Sequence, residues 1–135
     1  MSVFSIDHED ELIPFELPAF PDRTFYSNAG KSDRTGVETA ISWRSDRGLG
    51  VDASYTWSNF EFDEFIDDNA NDFSGNQLPG FPKQFRYLGF NYDQENGFSS
   101  VFGIIYSGEQ YANHSNREKV SRYTTGNFRL YFELK

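Results

Sequence analysis

Between Gly36 and Trp57 the chain alternates strictly between apolar and polar positions. Val37, Thr39, Ile41 and Trp43 interleave with Glu38, Ala40, Ser42 and Arg44; after Ser45-Asp46-Arg47-Gly48, Leu49, Val51, Ala53, Tyr55 and Trp57 interleave with Gly50, Asp52, Ser54, Thr56 and Ser58. A period of two on both sides of a glycine-containing turn predicts a β-hairpin. One face has a Trp towards each end, while the other carries Glu38, Arg44 and Asp52 among small hydroxyl residues. That is how a strand pair with lipid on one side and a wet lumen on the other is written. A packed sheet with one wet face gives similar letters, so the hairpin by itself leaves both open.

The same period recurs downstream. Gln84 to Tyr92 sets Leu88, Phe90 and Tyr92 on one face, and Phe98 to Tyr106 sets Phe98, Ser100, Phe102, Ile104 and Tyr106 together. Arg122 to Leu134 places Phe128, Leu130, Phe132 and Leu134 opposite Asn127, Arg129, Tyr131 and Glu133. Upstream, Val3 to Ile6 and Leu12-Ile13 read as strand interrupted by the acidic run Asp7, Glu9, Asp10, Glu11, and Pro14 is expected to end it. Pro14 to Asp33, Glu61 to Pro82 and Gly108 to Ser121 read as long polar loops; Ser45 to Gly48 and Asp93 to Gly97 read as short turns. The expected fold is all-β: an antiparallel up-and-down meander of about six amphipathic strands.

Alternating long and short connections point to a barrel with long loops outside and short turns on the periplasmic side, whereas soluble meanders use short loops throughout. On that reading Trp43, Tyr92 and Phe98 form the inner aromatic girdle and Tyr55, Trp57 and Tyr106 the outer one. Eight steps of about 3.3 Å from Phe98 to Tyr106 give roughly 26 Å of strand, or about 20 Å of depth at a tilt of about 40°. Glu38, Arg44, Asp52 and Arg129 face the lumen, where they either touch a plug or form lateral ion pairs. Tyr26, Phe65, Phe73 and Tyr111 lie in loops, where each either touches an incoming ligand or packs the loop.

Composition narrows the classes. Aromatics reach 19%, with 15 Phe and 8 Tyr, too many for a disordered chain. No run approaches the roughly 18 apolar residues of a membrane helix, which leaves a membrane barrel open. The net charge of −9 argues against a nucleic-acid backbone as partner. Without cysteine there is neither disulfide, thiol chemistry nor a Cys-type zinc site. His8 and His114 have no ligand spacing to a second metal-binding residue, and no G-x-S-x-G elbow occurs, so neither catalysis nor a cofactor is expected. Asp67, Asn69 and Asn71 mimic the first ligands of a calcium loop, but Asp72 and Leu78 stand at the glycine and bidentate-glutamate positions. The competing reading is a solvated acidic loop. Residues 1 to 20 show no signal peptide.

Several segments together resemble the TonB-dependent outer-membrane receptors. Tyr26 to Glu38 is similar to the family's N-A-G-x-x-x-x-x-G-x-E segment through Asn28, Ala29, Gly30, Gly36 and Glu38. Ser54-Tyr-Thr-Trp57 resembles its S-Y-T-[WY] strand, and Ser74 to Pro82 its G-N-x-[LI]-P-x-x-P loop through Gly75, Asn76, Pro79 and Pro82. Tyr106 to Asn113 and Asn127-Phe-Arg-Leu130 look like late loop and strand segments. The resemblance implies a barrel of about twenty-two strands around an N-terminal plug domain. It implies import of ferric siderophore or a similar scarce nutrient across the outer membrane of a Gram-negative bacterium, driven by the TonB complex. Partners would be outer-membrane lipid, the plug domain, a metal chelate, and TonB through an N-terminal part. Residues 1–135 are then expected to be a single partial barrel domain, without plug domain, TonB box, signal peptide and closing strands. The rival is a small soluble β-barrel holding an apolar ligand, lipocalin-like.

Overall fold

A computed structural model of the chain describes residues 1–10, 12–16, 19–20, 23–28, 30–67, 69–94 and 97–132. Its strands are β1 (Ser2–Glu9), β2 (Leu12–Glu16), β3 (Thr24–Asn28), β4 (Lys31–Arg44), β5 (Leu49–Glu64), β6 (Gln84–Asp93), β7 (Phe98–Ser107), β8 (Gln110–Tyr111), β9 (Lys119–Val120) and β10 (Tyr123–Phe132). Six of them form one antiparallel sheet in the order β1-β4-β5-β6-β7-β10. β2 pairs with β3 and β8 with β9, so the first and third long connections each carry a two-stranded ribbon. The all-β meander expected from the alternation is the fold. Its end strands, β1 and β10, do not pair with one another, so the sheet encloses no interior. The small closed barrel is thereby overturned.

Register settles which residues share a face. Glu38 lies opposite Thr56, Ser42 opposite Asp52 and Arg44 opposite Gly50; Val37, Ile41 and Trp43 lie opposite Trp57, Ala53 and Val51. The apolar set continues through Leu88 and Phe90 to Ile104 and Phe102, and from Phe102 to Phe128. Among the described residues nothing covers this face: Ile41 is 69% exposed, Phe128 62% and Phe132 69%.

The central hairpin is longer than its alternation announces. β4 starts at Lys31 and β5 runs to Glu64, with Ser32 opposite Phe62 and Arg34 opposite Phe60. Beyond Trp57 the aromatic residues move from odd to even positions, onto the polar-face side, which hides the strand from a search for one continuous stripe. β1 likewise runs through its acidic residues, paired in register with β4 from Ser2 opposite Glu38 to Glu9 opposite Lys31. Pro14 sits inside β2 opposite Tyr26 instead of ending a strand, since a two-stranded ribbon has free donor positions. Glu133 and Leu134, expected in the last strand, lie outside the described residues.

The two short turns are joined. Gly48 has φ +79°, its carbonyl accepts from the Asp93 N–H at 2.9 Å, and an added Cβ would lie 1.8 Å from the Asp93 carbonyl oxygen. Gly48→Ala therefore forces both a strained φ and a backbone shift. It is expected to cost about 1–3 kcal/mol, read as a lower denaturant midpoint of the folded chain.

Candidate functional site

The densest packing lies at the far end of the sheet from these turns. Phe62, Phe65 and Leu78 are buried, with Phe60 and Phe73 against them. Each fully buried ring or leucine contributes about 1.5–3 kcal/mol relative to exposure. The segment after β5 folds back along it: Phe62 donates its N–H to Asn76 (2.8 Å), Gly75 to Phe62 (2.7 Å) and Leu78 to Phe60 (2.9 Å). The Ser58 hydroxyl donates to the Pro82 carbonyl at 3.0 Å and its N–H to Lys83 at 3.1 Å. The β5–β6 connection thus continues the sheet beyond β6.

The β7–β10 connection is tied to this segment. Asn116 satisfies both polar groups of Gln77: its Oδ1 accepts from the Gln77 N–H at 2.8 Å and its Nδ2 donates to the Gln77 carbonyl at 2.9 Å. Asn76 Nδ2 donates to the His114 carbonyl (2.8 Å), and Gly80 donates its N–H to Tyr111 (2.9 Å). The His114 ring sits 5.7 Å from that of Phe62 and 5.5 Å from that of Phe65. Burial holds this imidazole below its ordinary pKa of 6.5, and its buried Nδ1 has no hydrogen-bond partner. Neither His114 nor Asn116 stands out in the sequence. Asn116 has φ +54°, a backbone state asparagine tolerates, and only that turn preference hints at its role.

The family-motif residues mostly sit where segments meet. Gly30 (φ +76°) accepts the Asp10 N–H, and a Cβ there would lie 2.4 Å from the Glu64 carbonyl. Gly36 is covered by the Phe4 ring, and Gly75 adopts φ +78°. Asn76, Pro79 and Pro82 belong to the folded-back segment; Glu38 lies exposed on the polar face. Asn28 ends β3, but its side chain and the whole of Ala29 lie outside the described residues.

On the polar face Arg44 grips Asp52 with Nη2 at 2.8 and 3.1 Å, while Ser42 Oγ (2.5 Å) and Asn91 Nδ2 (3.0 Å) donate to the same carboxylate. Arg44 and Asp52 therefore form a lateral pair across β4 and β5, further anchored to β6. Arg129 lies on the same face of β10 and is exposed. On the apolar face Trp43, Tyr92 and Phe98 lie near the short turns, Tyr92 and Phe98 being 6.4 Å apart edge-to-face. Tyr55, Trp57 and Tyr106 lie towards the long connections.

The loop aromatics divide. Phe65 is 3% exposed and packs the cluster, which corrects its candidacy as a ligand contact; Phe73 packs half-buried against it. Tyr26 is 64% exposed, and Tyr111 lines a cleft and carries Lys119 Nζ 5.0 Å over its ring. Asp67 anchors a turn: its oxygens accept the Asn69 and Asn71 N–H groups and Asn71 Nδ2 at 2.8–2.9 Å. The Asn71 side chain foremost holds its carboxyl below the ordinary range. Those oxygens are turned inward, and among the described residues no three acidic, histidine or cysteine side chains gather as metal ligands.

The family model described as "TonB dependent receptor-like, beta-barrel" matches residues 1–135. The ferrioxamine receptor of Yersinia enterocolitica is 36% identical over 104 residues, covering 76% of this chain and 14% of that receptor. The ferric yersiniabactin uptake receptor FyuA from Yersinia pestis superposes with a TM-score of 0.71 at 24% identity, over 95% of this chain and 18% of that one. The siderophore receptor PiuA from Acinetobacter baumannii does so with a TM-score of 0.71 at 20% identity, over 98% and 19%. The chain spans less than a fifth of the length of each of these relatives.

Two outcomes test the loop cluster. Asn116→Ala strips both partners from Gln77 and is expected to cost about 1–3 kcal/mol, read as faster amide hydrogen exchange at Gln77 and Leu78. His114 is neutral when packed and free to charge when released, so the unfolded loop binds more protons between the two pKa values. The cluster's stability is full above about pH 6.5 and falls as pH drops below it; hydrogen exchange at Phe62 should quicken on acidification, and His114→Phe should flatten that slope.

Proposed function

The chain belongs to the β-barrel family of TonB-dependent receptors, and from that premise we propose that its sheet is a section of the wall of a receptor in the outer membrane of a Gram-negative bacterium. The receptor imports a ferric siderophore or a similar scarce chelate. The observation that carries this reading is the uncovered apolar face, continuous from Trp43 across β5, β6 and β7 to Phe132 and backed on β4 and β5 by a polar face in strict alternation. In water such a face is an aggregation hazard; in a bilayer it is the solvent-facing surface.

Trp43, Tyr92 and Phe98 form the inner girdle in this reading, and Tyr55, Trp57 and Tyr106 the outer one. The sheet's edge strands β1 and β10 pair with further strands of the receptor, because unpaired backbone groups are costly in hydrocarbon. Glu38 and Arg129, exposed on the polar face, meet the plug domain, whereas Arg44 and Asp52 stiffen the wall through each other. The plug and the TonB complex supply gating and energy. Tyr26 and Tyr111 remain the loop aromatics best exposed to an arriving chelate, and the chain's own work is structural rather than catalytic.

A charge on either face separates lipid from water. Within the longer receptor that supplies partners for β1 and β10, Phe90→Arg, on the apolar face, is expected to cost about 2–4 kcal/mol and to abolish refolding into detergent or vesicles, whereas Thr56→Arg, on the polar face, should refold. Circular dichroism with and without detergent is the readout. A monodisperse β-rich monomer in plain buffer would sink the membrane reading.

A further inference from the structure

We propose that the lumen side of β6, β7 and β10 is a dry docking surface on which the plug domain seats, while the lumen side of β4 and β5 between Ser42 and Thr56 stays in water. The inference rests on the membrane reading. The two halves of the sheet are built differently on that side. On β4 and β5 it offers Ala40, Ser42, Ser54 and Thr56, and the Arg44–Asp52 pair there is already satisfied by Ser42 and Asn91. On β6, β7 and β10 the register places Phe85, Tyr87, Val101, Ile105, Tyr123 and Tyr131 on the same side.

Their neighbours in sequence, Leu88, Phe102, Ile104 and Leu130, fill the lipid side, so these strands are apolar on both faces. A strand apolar on both faces is covered on both, whereas a wall between lipid and water alternates. Lipid covers one face here, and the other needs protein. Among the described residues nothing supplies that cover: Phe85, Tyr123 and Tyr131 are all exposed. The receptors the chain resembles are more than five times its length, which leaves ample chain to provide it.

The surface is also shaped in advance. Gly89 and Gly103 lie opposite one another, and Tyr87 lies across them: a Cβ on Gly89 would meet the Tyr87 hydroxyl at 2.4 Å, and one on Gly103 its ring at 3.4 Å. Asn127 closes on Gly103 from β10, 3.2 Å from the same added Cβ. A tyrosine already laid along the wall offers contact area at little entropic cost on docking. The hydroxyls of Tyr87, Tyr123 and Tyr131 and the guanidinium of Arg129 have no partner among the described residues. Aromatic area with free hydroxyls and an arginine is the chemistry of an interface core. The occupant is therefore an apolar face of the plug, with a carboxylate for Arg129 and acceptors for the phenols.

The test places single cysteines in the longer receptor, in vesicles, and follows labelling by a charged, water-soluble maleimide. Tyr87→Cys and Ile105→Cys should react about 10-fold more slowly than Ser54→Cys and Thr56→Cys, and should match them once the plug is deleted. Equal rates in the intact receptor overturn the proposal. So does protection that survives plug deletion, which would assign it to neighbouring side chains of the wall. Where the plug-deleted receptor does not refold, a benzophenone attached in the Tyr87→Cys variant replaces it. Photolysis should join it to plug peptides, read by mass spectrometry, and crosslinks confined to the barrel overturn the proposal. Failure of the membrane reading is distinct: Phe90→Cys, on the lipid side, would then react as fast as Thr56→Cys.

Discussion

The ladder between β4 and β5 fixes the rest of the molecule. It runs without slip from Arg44 opposite Gly50 to Ser32 opposite Phe62, and shifts only at Lys31. Because the side-chain period is two, a slip of β5 by one residue against β4 would carry Trp57 to the polar face and Asp52 to the apolar one. The Arg44–Asp52 pair, with Ser42 and Asn91 on the same carboxylate, marks the correct register across three strands. Gly48 and Asp93 hold the two neighbouring turns at one height.

Along β5 the ladder passes through two environments. Up to Trp57 the large side chains occupy odd positions and face outward from the polar wall. From Phe60 they occupy even positions and are covered by the returning segment 73–83 and by the loop that carries His114 and Asn116. Sixteen residues at about 3.3 Å make a strand longer than an apolar band of about 25 Å. The switch in parity beyond Trp57 thus marks where a lipid-facing wall gives way to a protein-packed rim. There the loops are a built structure, with a phenylalanine cluster and a neutral histidine at its centre.

The strands up to Trp57 were legible because alternation is a local signal that needs no partner. So was the count of strands in the main sheet, and so was the family, through Gly30, Gly36, Gly75 and Asn76. Those residues serve close approaches and loop docking, which ties them to their spacing. The start of β4 was hidden and the continuation of β5 through Asn59 to Phe62 only weakly legible, because Phe60 and Phe62 switch face and their burial depends on Leu78 and His114, which are distant in sequence. Pro14 misled because a ribbon strand tolerates what a central strand does not. Phe65 could not be sorted from Tyr26 by sequence, since both are aromatics in polar stretches; only the returning segment buries one and leaves the other exposed.

Single cysteines placed one at a time from Leu49 to Phe62 test the central claim most directly, because the chain has no cysteine of its own. Spin labels on each, with the sheet refolded in vesicles as part of the longer receptor, would be probed with oxygen, which partitions into lipid, and with a water-soluble nickel chelate. The predicted result is oxygen access at odd positions up to Trp57 and nickel access at even ones, with the alternation ending beyond Ser58 and both reagents excluded at Phe62. Uniform nickel access along the strand, or an alternation of opposite phase, would contradict the account.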